Sequence, residues 1–284
     1  MSIEESLAAQ PESNTDNSEL RVTKVAAIQP QAALGYSKEI NMFDAKKTVR
    51  EIALEQPHSI RVFEHFGIDY CCGGRKPLAK ACVAHNVSVD SVTAALDSAT
   101  ATADPSPVDW SQNPLQELIE HIVAKHHSYV KAELPRLATL AQKVVSRHGD
   151  TQAHLPALQK AISQMDEELT RHLAKEENVL FPYVAALEAA VASGGAIPDA
   201  CFGNVANPIA MMTSEHETAG AILADIDLMS DHFTTPVGAC PTYHAFYDGL
   251  REFELDLHQH IHLENNILFP RAILLEASTV SVAM

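Results

Sequence analysis

Two eleven-residue segments, HLAKEENVLFP at 172–182 and HIHLENNILFP at 260–270, restrict the fold of this chain more than any other feature. Aligned without a gap they share His, Glu, Asn, Leu, Phe and Pro at six positions and exchange aliphatic residues at two more. In each, a His precedes a Glu by four residues, which on an α-helix puts both side chains on one face ~6 Å apart along the axis. Upstream, His127 lies 45 residues before His172, and His216 lies 44 before His260, each on a helical pattern. Two helical hairpins, each offering His and then His-x-x-x-Glu, bring four imidazoles and two carboxylates to the middle of one four-helix bundle.

The punctuation of the chain agrees with four long helices. Asn113 can cap, Pro114 takes a first helical position and Gln116 completes a capping box. Asn207-Pro208 and Cys240-Pro241 open two later helical patterns in the same way, and Gly149 to Thr151, Gly194-Gly195 and Thr234 to Pro236 supply the breaks. Helices are expected near 114–147, 153–193, 208–232 and 241–277, in an all-α, up-down-up-down arrangement over residues 113–278. Pro182 and Pro270 fall six residues past Glu176 and Glu264, so kinks are expected where the carbonyls of Asn178 and Asn266 lose their usual donors.

Ahead of the bundle, residues 42–99 read as a small domain of short helices. Thr48 to Gln56 is one candidate, and SIRVFEHF after Pro57 is another, stopped by Gly67 in a left-handed cap. Asp69-Tyr70-Cys71-Cys72-Gly73-Gly74 is a loop whose glycines allow unusual backbone angles, and Ser88 caps the last short helix. Residues 100–112, with Pro105 and Pro107 among small polar residues, read as a linker. Residues 1–41 lack sustained periodicity and read as a flexible extension.

Composition removes several classes of function. A formal net charge of -17 repels phosphate backbones and anionic lipid, so no nucleic-acid partner is expected. The chain has no apolar run of membrane-spanning length and no basic n-region followed by an apolar stretch, so export is not expected, and five cysteines, two of them adjacent, do not make an even disulfide framework. A cytoplasmic location is expected.

A His-x-x-x-Glu pair alone is common on solvated helices. Two copies followed by the same Asn, Leu, Phe and Pro are not, because packing gives no reason to keep polar residues at an inward-facing spacing. Imidazole and carboxylate without thiolate suit iron, manganese or zinc rather than copper(I) or an iron–sulfur cluster. One tetrahedral zinc would leave two of six ligands idle. With Glu176 and Glu264 bridging, two metals each receive two His and two carboxylate oxygens and keep positions open for O2, NO or peroxide, or for the metal itself to leave. Spacing does not choose between His126 and His127, and His121, His258 and His262 are further histidines on the same helices. Glu168 and Glu215 lie one turn or less from candidate ligands, where each either orients an imidazole or faces water. Cys71 and Cys72, two thiols in a glycine-rich loop, are suited to thiol exchange or transient iron binding more than to a core.

HHSYVKAELP, HLAKEENVLFP, SEHETAG and HIHLENNILFP, with DYCCGG before them, resemble the iron–sulfur cluster repair (RIC, YtfE/ScdA-type) family of di-iron, hemerythrin-like proteins. The resemblance spans about residues 41–277. It implies a non-haem centre of two iron ions, oxo- or hydroxo-bridged, ligated by His127, His172, His216 and His260, with Glu176 and Glu264 bridging. Register with AELP favours His127, which also lies on the apolar stripe Ile119, Val123, Val130, Leu134. The implied function is repair of iron–sulfur proteins damaged by nitric oxide or peroxide, by supplying iron, with the Cys71–Cys72 pair taking part. Reduction of NO or peroxide at the site, or reversible O2 or NO binding, are the alternatives, and assembly as a homodimer stays open.

Overall fold

A computed structural model of the chain describes residues 44–102 and 109–282, all within one compact unit. The expected extension at 1–41 and the middle of the expected linker lie outside the described residues. Regular structure among the described residues is helical throughout.

Four short helices come first: α1 (Val49–Glu55), α2 (Ser59–His65), α3 (Leu78–Ala84) and α4 (Val89–Thr102), the last running into the expected linker. Thr48 starts α1 with a reciprocal capping box, its backbone N–H donating to Glu51 at 2.7 Å while its hydroxyl accepts from the Glu51 N–H. Gly67, at φ +64, ends the second turn as a left-handed residue. Val49, Ile52, Phe63, Leu78 and Leu96 close a small core between these helices.

The rest is four rods. The first is α5 (Leu115–His121), a π-helical turn (Ile122–His127) and α6 (Ser128–His148); the second is α7 (Leu155–Lys175), a π turn (Glu176–Leu180) and α8 (Phe181–Ser193). The third is the single helix α9 (Ala206–Met229), and the fourth is α10 (Pro241–His262), a π turn (Leu263–Leu268) and α11 (Phe269–Val282). The expected up-down four-helix bundle is therefore present. At each expected proline kink a π turn closes just before the proline. Pro182 and Pro270 are the second residues of the resumed α-helices α8 and α11, where a missing N–H costs little. The carbonyl of Asn266 accepts from the Arg50 guanidinium at 3.2 Å, tying α1 to the fourth rod.

Helix starts also differ from expectation. At the first rod the cap is not Asn113 with Gln116: the Glu188 carboxylate of α8 accepts from the Leu115 and Gln116 N–H groups at 2.7 and 2.9 Å, and Asn113 turns to Glu117. At α9 the Glu276 carboxylate of α11 accepts from the Val205 N–H at 3.0 Å. A charged acceptor on a packed neighbour outcompetes a local side chain, because the exposed N–H groups and the dipole of a helix start both favour negative charge.

Two apolar layers line the bundle. One holds Val130, Leu137, Leu158, Leu173, Ile222, Phe253 and their neighbours, and the other Leu118, Leu180, Phe181, Met212, Leu268 and theirs. Along the first and third rods the second layer comes first, and along the second and fourth it comes last, which is the up-down topology written in the core. Between the layers, at the same level on all four rods, lie the six side chains of the repeated motif.

Candidate metal centre

His127, His172, His216, His260, Glu176 and Glu264 are each at most 2% exposed. The π turns contribute to their placement: His127 ends one, Glu176 begins another and Glu264 lies in the third, so the wide turn rotates these side chains inward. His172 and Glu176, like His260 and Glu264, keep the one-turn spacing read from the sequence.

The six fall into two overlapping groups, His127, His260, Glu176, Glu264 and His172, His216, Glu176, Glu264, each with its ligand atoms within 4.8 Å of one another. Both carboxylates belong to both groups and divide their oxygens between them. Glu176 Oε2 lies 3.4 Å from His127 Nε2 and Oε1 lies 3.3 Å from His172 Nε2. Glu264 Oε1 lies 3.0 Å from His260 Nε2 and Oε2 lies 3.1 Å from His216 Nε2. Within each group the two imidazoles face each other, Nε2 to Nε2, at 3.1 Å for His127 and His260 and 3.0 Å for His172 and His216. Lone pairs this close need a proton or a cation between them.

For three of the four rings, the far side fixes which nitrogen faces inward. His127 Nδ1 lies 2.7 Å from Glu177, which Lys131 also holds; His172 Nδ1 lies 2.9 Å from Glu215, which Lys175 also holds; His216 Nδ1 lies 2.9 Å from Asn265 Oδ1. With the Nδ1 proton donated outward, each Nε2 lone pair is free to bind metal. Burial alone would keep His127 and His172 neutral, but the facing carboxylates outweigh it and lift them to about 10 and about 9. Burial likewise opposes ionisation of Glu176 and Glu264, yet the surrounding imidazoles hold both below the ordinary carboxylate range. Two ionised carboxylates in a layer shielded from water require positive charge beside them, from protons or from metal ions.

The atoms present fit metal better than they fit one another. Both oxygens of Glu176, and Oε2 of Glu264, are buried and make no hydrogen bond despite imidazole nitrogens close by. Atoms that sit near each other without pointing at each other are the arrangement expected of donors aimed at a common centre.

A model of the hemerythrin HHE cation binding domain matches residues 118–272, and one of the ScdA_N domain of unknown function matches residues 45–100. The iron-sulfur cluster repair protein YtfE of Yersinia pseudotuberculosis is 38% identical over 222 residues, 78% of this chain and 94% of that protein. The protein of that name from Yersinia pestis is 37% identical over the same shares. The chain belongs to the iron–sulfur cluster repair family. The fold and the cation-binding character of the bundle are those of that family, and no helix among the described residues is long and apolar enough to cross a membrane.

Within this family member the remaining candidates separate. His126 is buried and joins neither group, its Nδ1 2.9 Å from Asp256. His121 packs on Trp110, His258 faces Tyr70, and His262 pairs with the Asn266 amide at 2.9 Å while burial lowers it to about 4; none joins either group. Glu215 orients an imidazole, whereas Glu168 pairs with Arg171 at the surface. Glu177 and Asn265 were not anticipated. They occupy the same position in the two segments, but their side chains differ, so a comparison that kept only identities passed over them.

The thiol loop departs from expectation. Cys71 is 5% exposed and belongs to the packed core of the short helices, while Cys72 is half-buried with Sγ 3.6 Å from Cys71 Sγ and 3.9 Å from the His216 carbonyl. Contact with Cys72 and burial push the Cys71 thiol well above its ordinary value. The glycines serve room rather than angle: a Cβ at Gly73 would meet Asp69 Oδ2 at 2.7 Å and one at Gly74 the Tyr70 carbonyl at 2.5 Å. Asp69 gathers the loop by accepting from the N–H groups of Cys71, Cys72 and Gly73. Cys71, Cys72 and Asn265 line one cavity of about 160 Å³, so the thiols lie against the outer side of the His216 ring's support.

Proposed function

We propose that the six side chains hold two iron ions, His127 and His260 on one, His172 and His216 on the other, with Glu176 and Glu264 bridging, and that the protein repairs iron–sulfur clusters damaged by nitric oxide or peroxide by supplying iron. The observation that carries this reading is the division of both carboxylates between two facing histidine pairs. Iron held by mixed imidazole and carboxylate keeps coordination positions open to small molecules such as NO, O2 or peroxide, which is compatible with release of the metal. The chain's own part is to hold six donor atoms in a layer shielded from water, to fix three imidazole tautomers through Glu177, Glu215 and Asn265, and to present Cys72 beside His216. Cys71 and Cys72 act as a thiol pair in the transfer, Cys72 as the accessible member. The relatives' name supports repair as the outcome and iron–sulfur proteins as partners.

Metal analysis of the purified protein tests this directly, with two irons per chain expected. His172→Ala and Glu264→Ala lose bound iron while keeping helical circular dichroism; full iron content in both contradicts the ligand set. Cys71→Ala/Cys72→Ala keeps its iron but delivers less to an apo-cluster acceptor protein, and undiminished delivery removes the thiols from the function.

A further inference from the structure

The two halves of the centre are related by the sequence repeat, yet they are not equally supported. His127 corresponds to His216, and their Nδ1 atoms are held by Glu177 and Asn265, which also correspond. His172 corresponds to His260, and here the correspondence breaks. The acceptor of His172 Nδ1 is Glu215, the residue before His216; the residue before His127 is His126. His126 does lie beside His260, ring against ring at 5.6 Å and 7°, but stacking offers no acceptor. His126 spends its Nδ1 on Asp256, its Nε2 is buried with no hydrogen bond, and so is His260 Nδ1. Among the described residues His260 is the one ligand candidate of the four without a protein group fixing its outward nitrogen.

An acceptor on the outer nitrogen raises the basicity of a ligating imidazole and holds its plane, and its loss weakens metal affinity about 10–100-fold. Both bridging carboxylates are shared, so they do not distinguish the halves. We infer that the ion on His127 and His260 is the exchangeable one, and that the ion on His172 and His216, backed by Glu215 and Asn265, stays behind. This rests on the two-iron reading and deepens it: the family's cargo leaves from one named half, and His126 is the positioning residue that keeps that half weak.

Iron release from the fully loaded, full-length protein to an excess of a chromophoric iron chelator tests the inference. Two phases of equal amplitude are expected, one iron in each, with rates at least about tenfold apart. His126→Glu gives His260 the acceptor that His172 has, and the fast phase slows towards the slow one. Glu215→Ala removes that acceptor from His172, and the slow phase accelerates while the fast phase is unchanged; this substitution of a half-buried side chain keeps the test available if His126→Glu does not fold. A single phase in the parent overturns the inference, as does a slow phase unmoved by Glu215→Ala. Protein that never carries two irons instead overturns the two-iron reading beneath it.

Discussion

Glu177 and Glu215 reach the centre only through an imidazole, and each is itself held by a lysine at the rim, Lys131 or Lys175. Replacing Glu177 by Gln keeps the shape but removes the charge that polarises His127. Iron affinity in a chelator competition is expected to fall about 10–100-fold with helix content unchanged. A residue away from the centre, Glu254, adds its own response to pH. Burial and the nearby Asp227 carboxylate lift Glu254 from 4.5 to about 7. Between those values the folded chain keeps a proton that the unfolded chain has released, so the stability this group contributes is full below the lower value and lost as pH rises through the upper. Glu254→Gln is expected to match the parent in urea unfolding near pH 5 and to exceed it at pH 8 by roughly 1–2 kcal/mol, a partly solvated side chain giving less than its full shift.

At the scale of elements, the repeat runs further than the eleven residues first aligned. Glu188 and Glu276 each lie twelve residues past the shared Glu, within Leu-Glu-Ala in both copies, and each takes the first N–H groups of the neighbouring rod. Glu188→Ala leaves the start of α5 without its charged acceptor and is expected to cost about 1–2 kcal/mol in denaturant unfolding while leaving iron content unchanged. The π turns show the opposite relation between pattern and element. Two of them end at the duplicated prolines, but the turn at residues 122–127 has no proline beside it. Its sequence signal is the centre itself, since His127 reaches the shared layer at the end of that wide turn.

For the whole molecule, the short helices share one packed core with the bundle and are tied to it by specific polar contacts. Arg50 donates to the Asn266 carbonyl, the Asn266 amide donates to the Tyr70 carbonyl at 3.0 Å, and Gln259 donates to Glu64. Asn266 is adjacent to Asn265, which orients His216, so the docking of the small helices and the support of the centre meet in one π turn. Because the six donor atoms are buried and mutually close, iron is expected to contribute to folding itself. Chelation should lower Tm by roughly 10 °C in a calorimetric scan, the magnitude set by ligand-linked stabilisation of a few kcal/mol, with reloading restoring it. An unchanged Tm would mean the layer is satisfied by protons alone.

The hairpin repeat determined the rod count, the up-down order and the identity of five of the six converging side chains, because helical periodicity turns spacing of four into a shared face and short breaks turn consecutive rods antiparallel. What spacing within a helix does not carry is anything decided across helices. Which of His126 and His127 faces inward, the caps on α5 and α9, the Glu177, Glu215 and Asn265 supports and the burial of Cys71 all depend on what a neighbouring rod or the docked small helices present at that level. For the same reason the inequality of His172 and His260, whose own segments look alike, is visible only once His126 and Glu215 are seen standing behind them.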